Sequence, residues 1–447
     1  MNSELIELAN YVKKKLAEKK AQDTVITAVE SSSNELKFVN NEIIKTSFNN
    51  GANIGIFTTF DKKIVLVPLK DLTKSGADKI VEKILKFVRH IEPKEDYFGI
   101  AEGPFKHKPI ADTFDKKIEN IDAKSQIDIV EAGINSALSQ GATRASGISE
   151  LSFAEFYKTT SNGVEASAKH TSAYFSIRAL LDKEASGHAT TSGCMLNKIN
   201  VVGAGSFAGE LARLSKNPVV GEAGKFDVLF APLAIADFIE RAGEALSIFD
   251  VETGMSFFEG LMNKDVASKN VNLFDDGRLP GGLGSAPFDA EGVPTQRTPL
   301  IKEGKLQTYL FNTSYARKYK TKTTANAGLI SPGPHQLVLE PGKKDKDKII
   351  SQIDNGLYVT NLWYTRFQNY KLGDFSTIPR DGIFLIKNGK LSQPIKNVRI
   401  SENMLHILKN VGEIANDVQQ IASWEVGTPI FTPHVLVKGI NITKPTA

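Results

Sequence analysis

Cysteine is almost missing from this 447-residue chain, which carries one, Cys194. No internal disulfide can form, and that fits a reducing cytoplasm. Histidine is missing over a long stretch: none occurs between His188 and His335. The gap includes Phe226–Leu246 (FDVLFAPLAIADFIERAGEAL), which reads as a strand followed by a helix. A zinc-binding hydrolytic helix of the HExxH or HExxxH type needs two imidazoles about one turn apart, with a glutamate between them to activate water. This helix offers Asp237, Glu240, Arg241 and Glu244 instead, and no imidazole.

Other absences close further routes. The longest apolar stretch, Val228–Ile239, is interrupted by Asp237 and is too short to cross a bilayer. The net charge is +4 with both signs interspersed, which gives little electrostatic reason to expect nucleic acid. The densest basic stretch, Arg317–Lys322 (RKYKTK), reads as a solvated loop. No G-x-S-x-G elbow occurs, and Cys194, in GHATTSGCML, has no evident histidine partner. Nucleophilic hydrolysis therefore lacks support, and the thiol is expected to be packed and inert. The amino-terminal residues (MNSELIELANYVKKKLAEKK) read as an amphipathic, acid-bearing helix rather than a signal peptide. The expectation is a cytoplasmic protein with no membrane and no nucleic-acid partner.

What is present points to an α+β chain. Apolar residues make up 41% of it, enough for sizeable cores in two or three domains. Glu4–Lys19 has Leu5, Leu8, Ala9, Val12 and Leu16 at helical spacing. Extended segments follow at Thr24–Glu30, Leu36–Val39, Ile43–Phe48, Ala52–Thr59 and Lys63–Val67, separated by Asn-Asn, Asn-Gly and Asp-Lys turn signals, as in an antiparallel meander. A helix over Leu72–His90 and a surface linker over Pro93–Asp115 are expected next. The pattern then returns: a helix at Ser125–Ser139, strands Ser146–Thr160 and Val164–Leu181 around a Ser-Asn-Gly hairpin, and a helix at Ala204–Leu214. Residues 1–217 thus read as one α+β domain built from two helix-plus-meander halves. Residues 218–447 read as a β-rich antiparallel domain, with helices at Ala234–Ser247, Asp347–Asp354 and Asn403–Val411, and short strands such as Gln307–Asn312 and Gln336–Leu339.

Two glycine-rich stretches invite a nucleotide. Gly203–Gly209 (GAGSFAG) opens a helix, but the residues before it make a poor buried strand, and Asp227 lies at the wrong end of its own strand to hold a ribose. Tight turning and close packing is the plainer reading. Gly281–Ser285 (GGLGS) lacks the lysine and the following helix of a phosphate cradle. Asp237, Glu240 and Glu244 share a helical stripe with Arg241 four residues after Asp237, which reads as a solvated or interfacial face rather than a metal site. His335, His406 and His434 each lack a second ligand at metal-like spacing. Asp275–Leu306 packs Asp275, Asp276, Asp289 and Glu291 among glycines and prolines. Such acids either cap backbone N–H groups or pin loops beside a groove; Asp374, in GDFS, is a further candidate of this kind.

The stretches MSFFEGLMNKDVAS (Met255–Ser268), DDGRLPGGLGSAPFDAEGVPT (Asp275–Thr295), NGLYVT (Asn355–Thr360), GDFS (Gly373–Ser376), GIFLIKNGKL (Gly382–Leu391) and GTPIFTPHVLVKG (Gly427–Gly439) resemble, in that order, the TldD/PmbA family of modulator-of-gyrase-type metallopeptidases. In the amino-terminal half the likeness is loose. The family pairs a TldD kind of subunit, holding zinc through HExxxH and a carboxyl-terminal cysteine, with a TldE or PmbA kind that keeps the fold without the metal. This chain departs from the TldD pattern at every ligand, and LPGGLGSAPFDAEGVPT resembles the PmbA side.

The resemblance implies no catalytic and no metal-binding residue in this chain, and no cofactor of its own. It implies zinc in a TldD-like partner, and short or unfolded peptides bound as an added β-strand through main-chain hydrogen bonds. Two other readings stay open. One is a stand-alone metallopeptidase with atypical ligands drawn from His335, His406, His434 and nearby acids. The other is a non-enzymatic, peptide-binding homo-oligomer. A nucleotide-dependent enzyme is more distant.

Overall fold

The computed structural model describes residues 1–444, so 445–447 of the expected second domain lie outside the described residues. Helix α1 (Ser3–Glu18) turns its periodic residues Leu5, Leu8, Ala9, Val12 and Leu16 inward, and the Asn2 side chain caps it by accepting from the Glu4 N–H. Strands β1 (Thr24–Val39), β2 (Glu42–Phe60) and β3 (Lys63–Leu69) follow, and α2 (Lys74–Val88) closes the unit. After a short helix α3 (Lys116–Glu119) come α4 (Ala123–Ser139), β4 (Arg144–Thr160), β5 (Glu165–Leu180), β6 (Ser186–Gly193) and α5 (Val201–Leu214). The six strands form one antiparallel sheet in the order β3-β2-β1-β4-β5-β6. Two helix and three-strand units therefore meet along the β1–β4 pair.

Three local expectations fail here. The breaks foreseen within β1 and at Asn49-Asn50-Gly51 do not occur, because Glu30–Asn34 is paired with Phe48–Ala52 on one side and with Leu151–Glu155 on the other. Two flanking ladders satisfy that backbone and outweigh local turn chemistry. The linker Pro93–Asp115 is not a mere surface crossing: Tyr97, Ile100 and Ala101 are buried, and the Arg317 guanidinium donates to the Phe98 carbonyl at 2.8 Å. Gly203–Gly209 lies within α5 rather than in a turn. A Cβ on Gly205 would stand 2.2 Å from the Gly133 carbonyl oxygen, and one on Gly209 2.4 Å from that of Ala137. The glycines let α5 lie directly on α4, and no phosphate turn exists there.

The second half starts with β7 (Val219–Val220), β8 (Gly224–Phe230) and α6 (Pro232–Glu244). Strand β8 pairs with Val435–Thr443, which pairs with Arg399–Asn403, then Asp374–Lys387, then Asn355–Asn369, which returns to β8. This ring is a closed barrel. A second sheet runs Lys305–Leu306, Arg297–Lys302, Leu273–Asp276, Leu337–Leu339, Ile430–Thr432, Gln419–Ile421. This half is not purely antiparallel as expected: Asn355–Asn369 runs parallel to β8, Leu337–Leu339 to Ile430–Thr432, and Lys390–Lys396 to β7. Each parallel pair joins strands distant in sequence, where long crossovers permit it. The expected strand Gln307–Asn312 is irregular apart from a bridge between Leu310 and Ser247. Helix α6 packs against both sheets and buries Ala234, Ile235, Ala236, Phe238, Ile239 and Ala242 in the largest apolar core. Among the described residues, no helix is long and apolar enough to cross a membrane.

Candidate functional site

Because α6 is covered on both sides, two of its acids are enclosed as well, while Glu244 stays exposed. Asp237 and Glu240, expected on a solvated or interfacial face, are 1% and 3% exposed. Asp237 Oδ2 accepts from the hydroxyl of Thr365, which lies 2.8 Å from that of Thr377. Glu240 Oε1 accepts the Thr428 N–H at 2.6 Å. The Arg241 guanidinium reaches all three acids of the stripe, at 3.5 Å from Asp237, 3.7 Å from Glu240 and 2.8 Å from Glu244. Nearby, buried Glu425 accepts the Tyr364 N–H at 3.0 Å and faces Arg366 at 3.7 Å. Burial pushes the Asp237 carboxyl up to about 6, against the lowering effects of Thr365 and Arg241. It pushes Glu240 up to about 7, against the Thr428 N–H. Thr365 and Glu425 are far from α6 in the chain, and nothing in the sequence marks them.

Zinc, which the α6 region would hold in an HExxxH chain, does not fit these residues. The donor set is carboxylate alone, and a guanidinium, itself a cation, stands among the acids. Two of the three histidines suggested as substitute ligands are hydrogen-bonded elsewhere. His335 Nε2 lies 2.8 Å from the Ala325 carbonyl oxygen. His434 lies between Asp417, 2.7 Å from Nδ1, and Tyr358, 3.1 Å from Nε2. His406 Nδ1 lies 3.1 Å from Glu402. Among the described residues, no group of three or more histidine, cysteine, aspartate and glutamate side chains is placed to hold a metal.

The acids of Asp275–Leu306 act on backbone. Asp275 Oδ1 accepts the N–H groups of His335 and Gln336 at 2.7 and 3.1 Å, and Oδ2 accepts from the Asn326 amide at 2.6 Å. Asp289 Oδ1 accepts from Glu291 N and Val293 N, both at 2.9 Å, and Oδ2 from Ala327 N at 3.0 Å. Asp275 and Asp289 thus grip the same segment, Ala325–Gln336, from two sides. Glu291 accepts the Ala101 N–H at 3.2 Å. With Asp289 it faces the buried Lys158, which donates to the Thr27 hydroxyl at 2.8 Å. Burial holds Glu291 up at about 8 and Lys158 down at about 8. Asp276 accepts the Arg278 N–H and lies 3.6 Å from Arg297 at the edge of this group. Asp374 stands apart in the barrel, accepting from the Asn403 amide at 2.8 Å. The glycines of Gly281–Ser285 serve the same packing, since a Cβ on Gly284 would lie 1.9 Å from the His335 carbonyl oxygen.

Sequence spacing hid one pair. Cys194 Sγ lies 3.4 Å from His170 Nε2, because β5 and the end of β6 are sheet neighbours. The geometry is that of a nucleophile and its base, but the electrostatics are the reverse. Burial, aided by Asp112, pushes the Cys194 thiol up to about 12, and burial pulls His170 down. A thiol so held is inert. At pH 8 Cys194 should react with an aromatic disulfide reagent roughly a thousandfold more slowly than a solvated cysteine. A rate near that of unfolded protein would contradict the burial.

Residues 223–444 match the PmbA/TldA metallopeptidase C-terminal domain. A metalloprotease of Methanothermobacter thermautotrophicus is 32% identical over 43% of this chain and 43% of its own length. The chain's match therefore spans under half of that relative. An uncharacterised protein of Methanocaldococcus jannaschii is 26% identical over 77% of this chain and 80% of its own. The crystal structure of TldE from Thermococcus kodakarensis superposes with a TM-score of 0.87 at 22% identity, over 98% of this chain and 100% of that one. The fold is shared along nearly the whole length, and the sequence match is firmest where β8, α6 and the barrel lie. This protein belongs to the PmbA/TldD metallopeptidase family.

Proposed function

We propose that the chain is a TldE/PmbA-like, metal-free subunit of a zinc metallopeptidase, pairing with a TldD-like chain that carries HExxxH. The observation that carries this reading is the guanidinium of Arg241 set among Asp237, Glu240 and Glu244, in the helix where imidazoles would be required. A built-in cation takes the electrostatic role of a metal ion but has no open coordination position to activate water. The partner would supply the zinc, and this chain would help enclose the cleft in which short or unfolded peptides bind as extended strands. The single, buried Cys194 suits a cytoplasmic setting for the pair.

Mixing tests the reading. The purified chain should carry no stoichiometric zinc and leave unstructured peptides intact. Combined with an HExxxH-bearing homologue, it should co-elute as a hetero-oligomer and raise hydrolysis at least tenfold over either chain alone, roughly the scale of a completed site. Chelator-sensitive hydrolysis by the lone chain would point instead to an independent peptidase.

A further inference from the structure

The chain has two tryptophans, Trp363 and Trp424, and the fold brings them together. Their ring centroids lie 5.2 Å apart at 84°, and Tyr364 stands within 6.1 Å of both. Trp424 and Tyr364 are 55% and 47% exposed. Large aromatic surface left in water is costly, and a cluster of it marks a place where something else binds. The backbone departs from regularity to present it. The ladder between Asn355–Asn369 and Asp374–Lys387 loses register between Trp363 and Arg366, and Tyr364 adopts φ 58°, rare for a bulky residue.

Arginines surround the rings. The guanidinium carbons of Arg178 and Arg380 lie 5.1 and 4.9 Å from the Trp363 ring, and that of Arg366 5.6 Å from Tyr364. A cleft of about 450 Å³ adjoins them, lined by Arg178, Lys183, Arg380 and Lys396 against the two acids Glu184 and Asp381. Arg178 is taken by Asp381, Lys396 by Glu184 and Arg366 by Glu425. Among the described residues, Arg380 and Lys183 have no carboxylate partner, and the buried Trp363 Nε1 donor has no acceptor.

We propose that this surface is a docking site for an acidic, extended polypeptide segment. Its carboxylates would meet Arg380 and Lys183 in the cleft, and its apolar side chains would cover Trp424 and Tyr364. Tryptophan, tyrosine and arginine are the side chains that dominate protein docking sites, and a guanidinium matches a carboxylate in two parallel hydrogen bonds. A nucleic-acid strand fits less well, since it needs an unbroken cationic track for successive phosphates. Here Asp381, Glu184 and Glu425 interrupt the cations. The proposal stands apart from the pairing with a zinc subunit and does not need it.

With no tryptophan elsewhere, tryptophan emission excited where tyrosine does not absorb reports on this surface alone. The full chain would be titrated with a short capped peptide alternating glutamate and leucine, with its lysine-for-glutamate counterpart, and with an oligothymidylate of similar length. The acidic peptide should change the emission saturably. R380E, at an exposed position, should weaken it by roughly tenfold or more while leaving the melting temperature unchanged, and W424A should weaken it too. Absence of a saturable change with the acidic peptide would overturn the proposal, as would unaltered affinity in R380E or tighter binding of the lysine peptide or the oligonucleotide.

Discussion

Replacing Arg241 with methionine is expected to destabilise the protein by about 4 kcal/mol at pH 8, the scale on which an uncompensated buried charge is felt. The substitution keeps much of the side-chain volume and removes the cation that serves Asp237, Glu240 and Glu244. Both buried acids have folded values, about 6 and about 7, above those of the unfolded chain. The native state therefore retains protons that the unfolded chain releases, and stability falls as pH rises through that window. The cost is absent below about pH 4, where both states are protonated, and complete above the folded values. Removing Arg241 moves those values further up, so the loss should shrink to about 1 kcal/mol at pH 5, where the neutral acids need no counter-ion. Urea unfolding of R241M and the parent at the two pH values measures this. An equal loss at both would show that Arg241 acts through packing.

D275A should cost about 4 kcal/mol, since it leaves the N–H groups of His335 and Gln336 buried without an acceptor and takes one of the two acceptors of the Asn326 amide, which keeps only the Gly333 carbonyl. D275N should be milder, about 2 kcal/mol, because one oxygen remains for the two N–H groups. Its amide can also turn a donor toward Asn326 Oδ1, which has no partner in the native protein. Denaturant melts give the energies. Hydrogen exchange gives the location: Ala325–Gln336 should lose protection first. Equal losses for alanine and asparagine would mean that the carboxylate acts through its charge, against the hydrogen-bond account.

Local pattern made much of the amino-terminal half legible. The spacing of Leu5, Leu8, Val12 and Leu16 fixes which face of α1 is buried, and alternation with a Ser-Asn-Gly turn gives β4 and β5. It failed at Asn49-Asn50-Gly51, where the turn signal is real but the paired neighbours are stronger. For the acids of Asp275–Leu306 the sequence offered two roles, capping backbone N–H groups or pinning loops beside a groove, since carboxylates among glycines and prolines have unpaired N–H groups within reach. Which N–H groups they take, those of Ala101, Ala327 and His335, was not legible, because these come from other parts of the chain. The Cys194–His170 pair escaped for the same reason: strand register, rather than sequence spacing, puts them side by side.

The donor types on α6 are a property of the chain alone: no fold can supply an imidazole that Phe226–Leu246 does not contain. Composition therefore excludes an HExxxH centre before any coordinate is known. Tertiary packing decided everything about how those acids behave. Two sheets closing on α6 strip water from Asp237 and Glu240 and raise their proton affinities, and they leave Arg241 as the counter-charge. The same closure sets Trp363 beside Trp424. Desolvation and juxtaposition are long-range outcomes, and a side chain's charge state depends on which distant strands come to cover it.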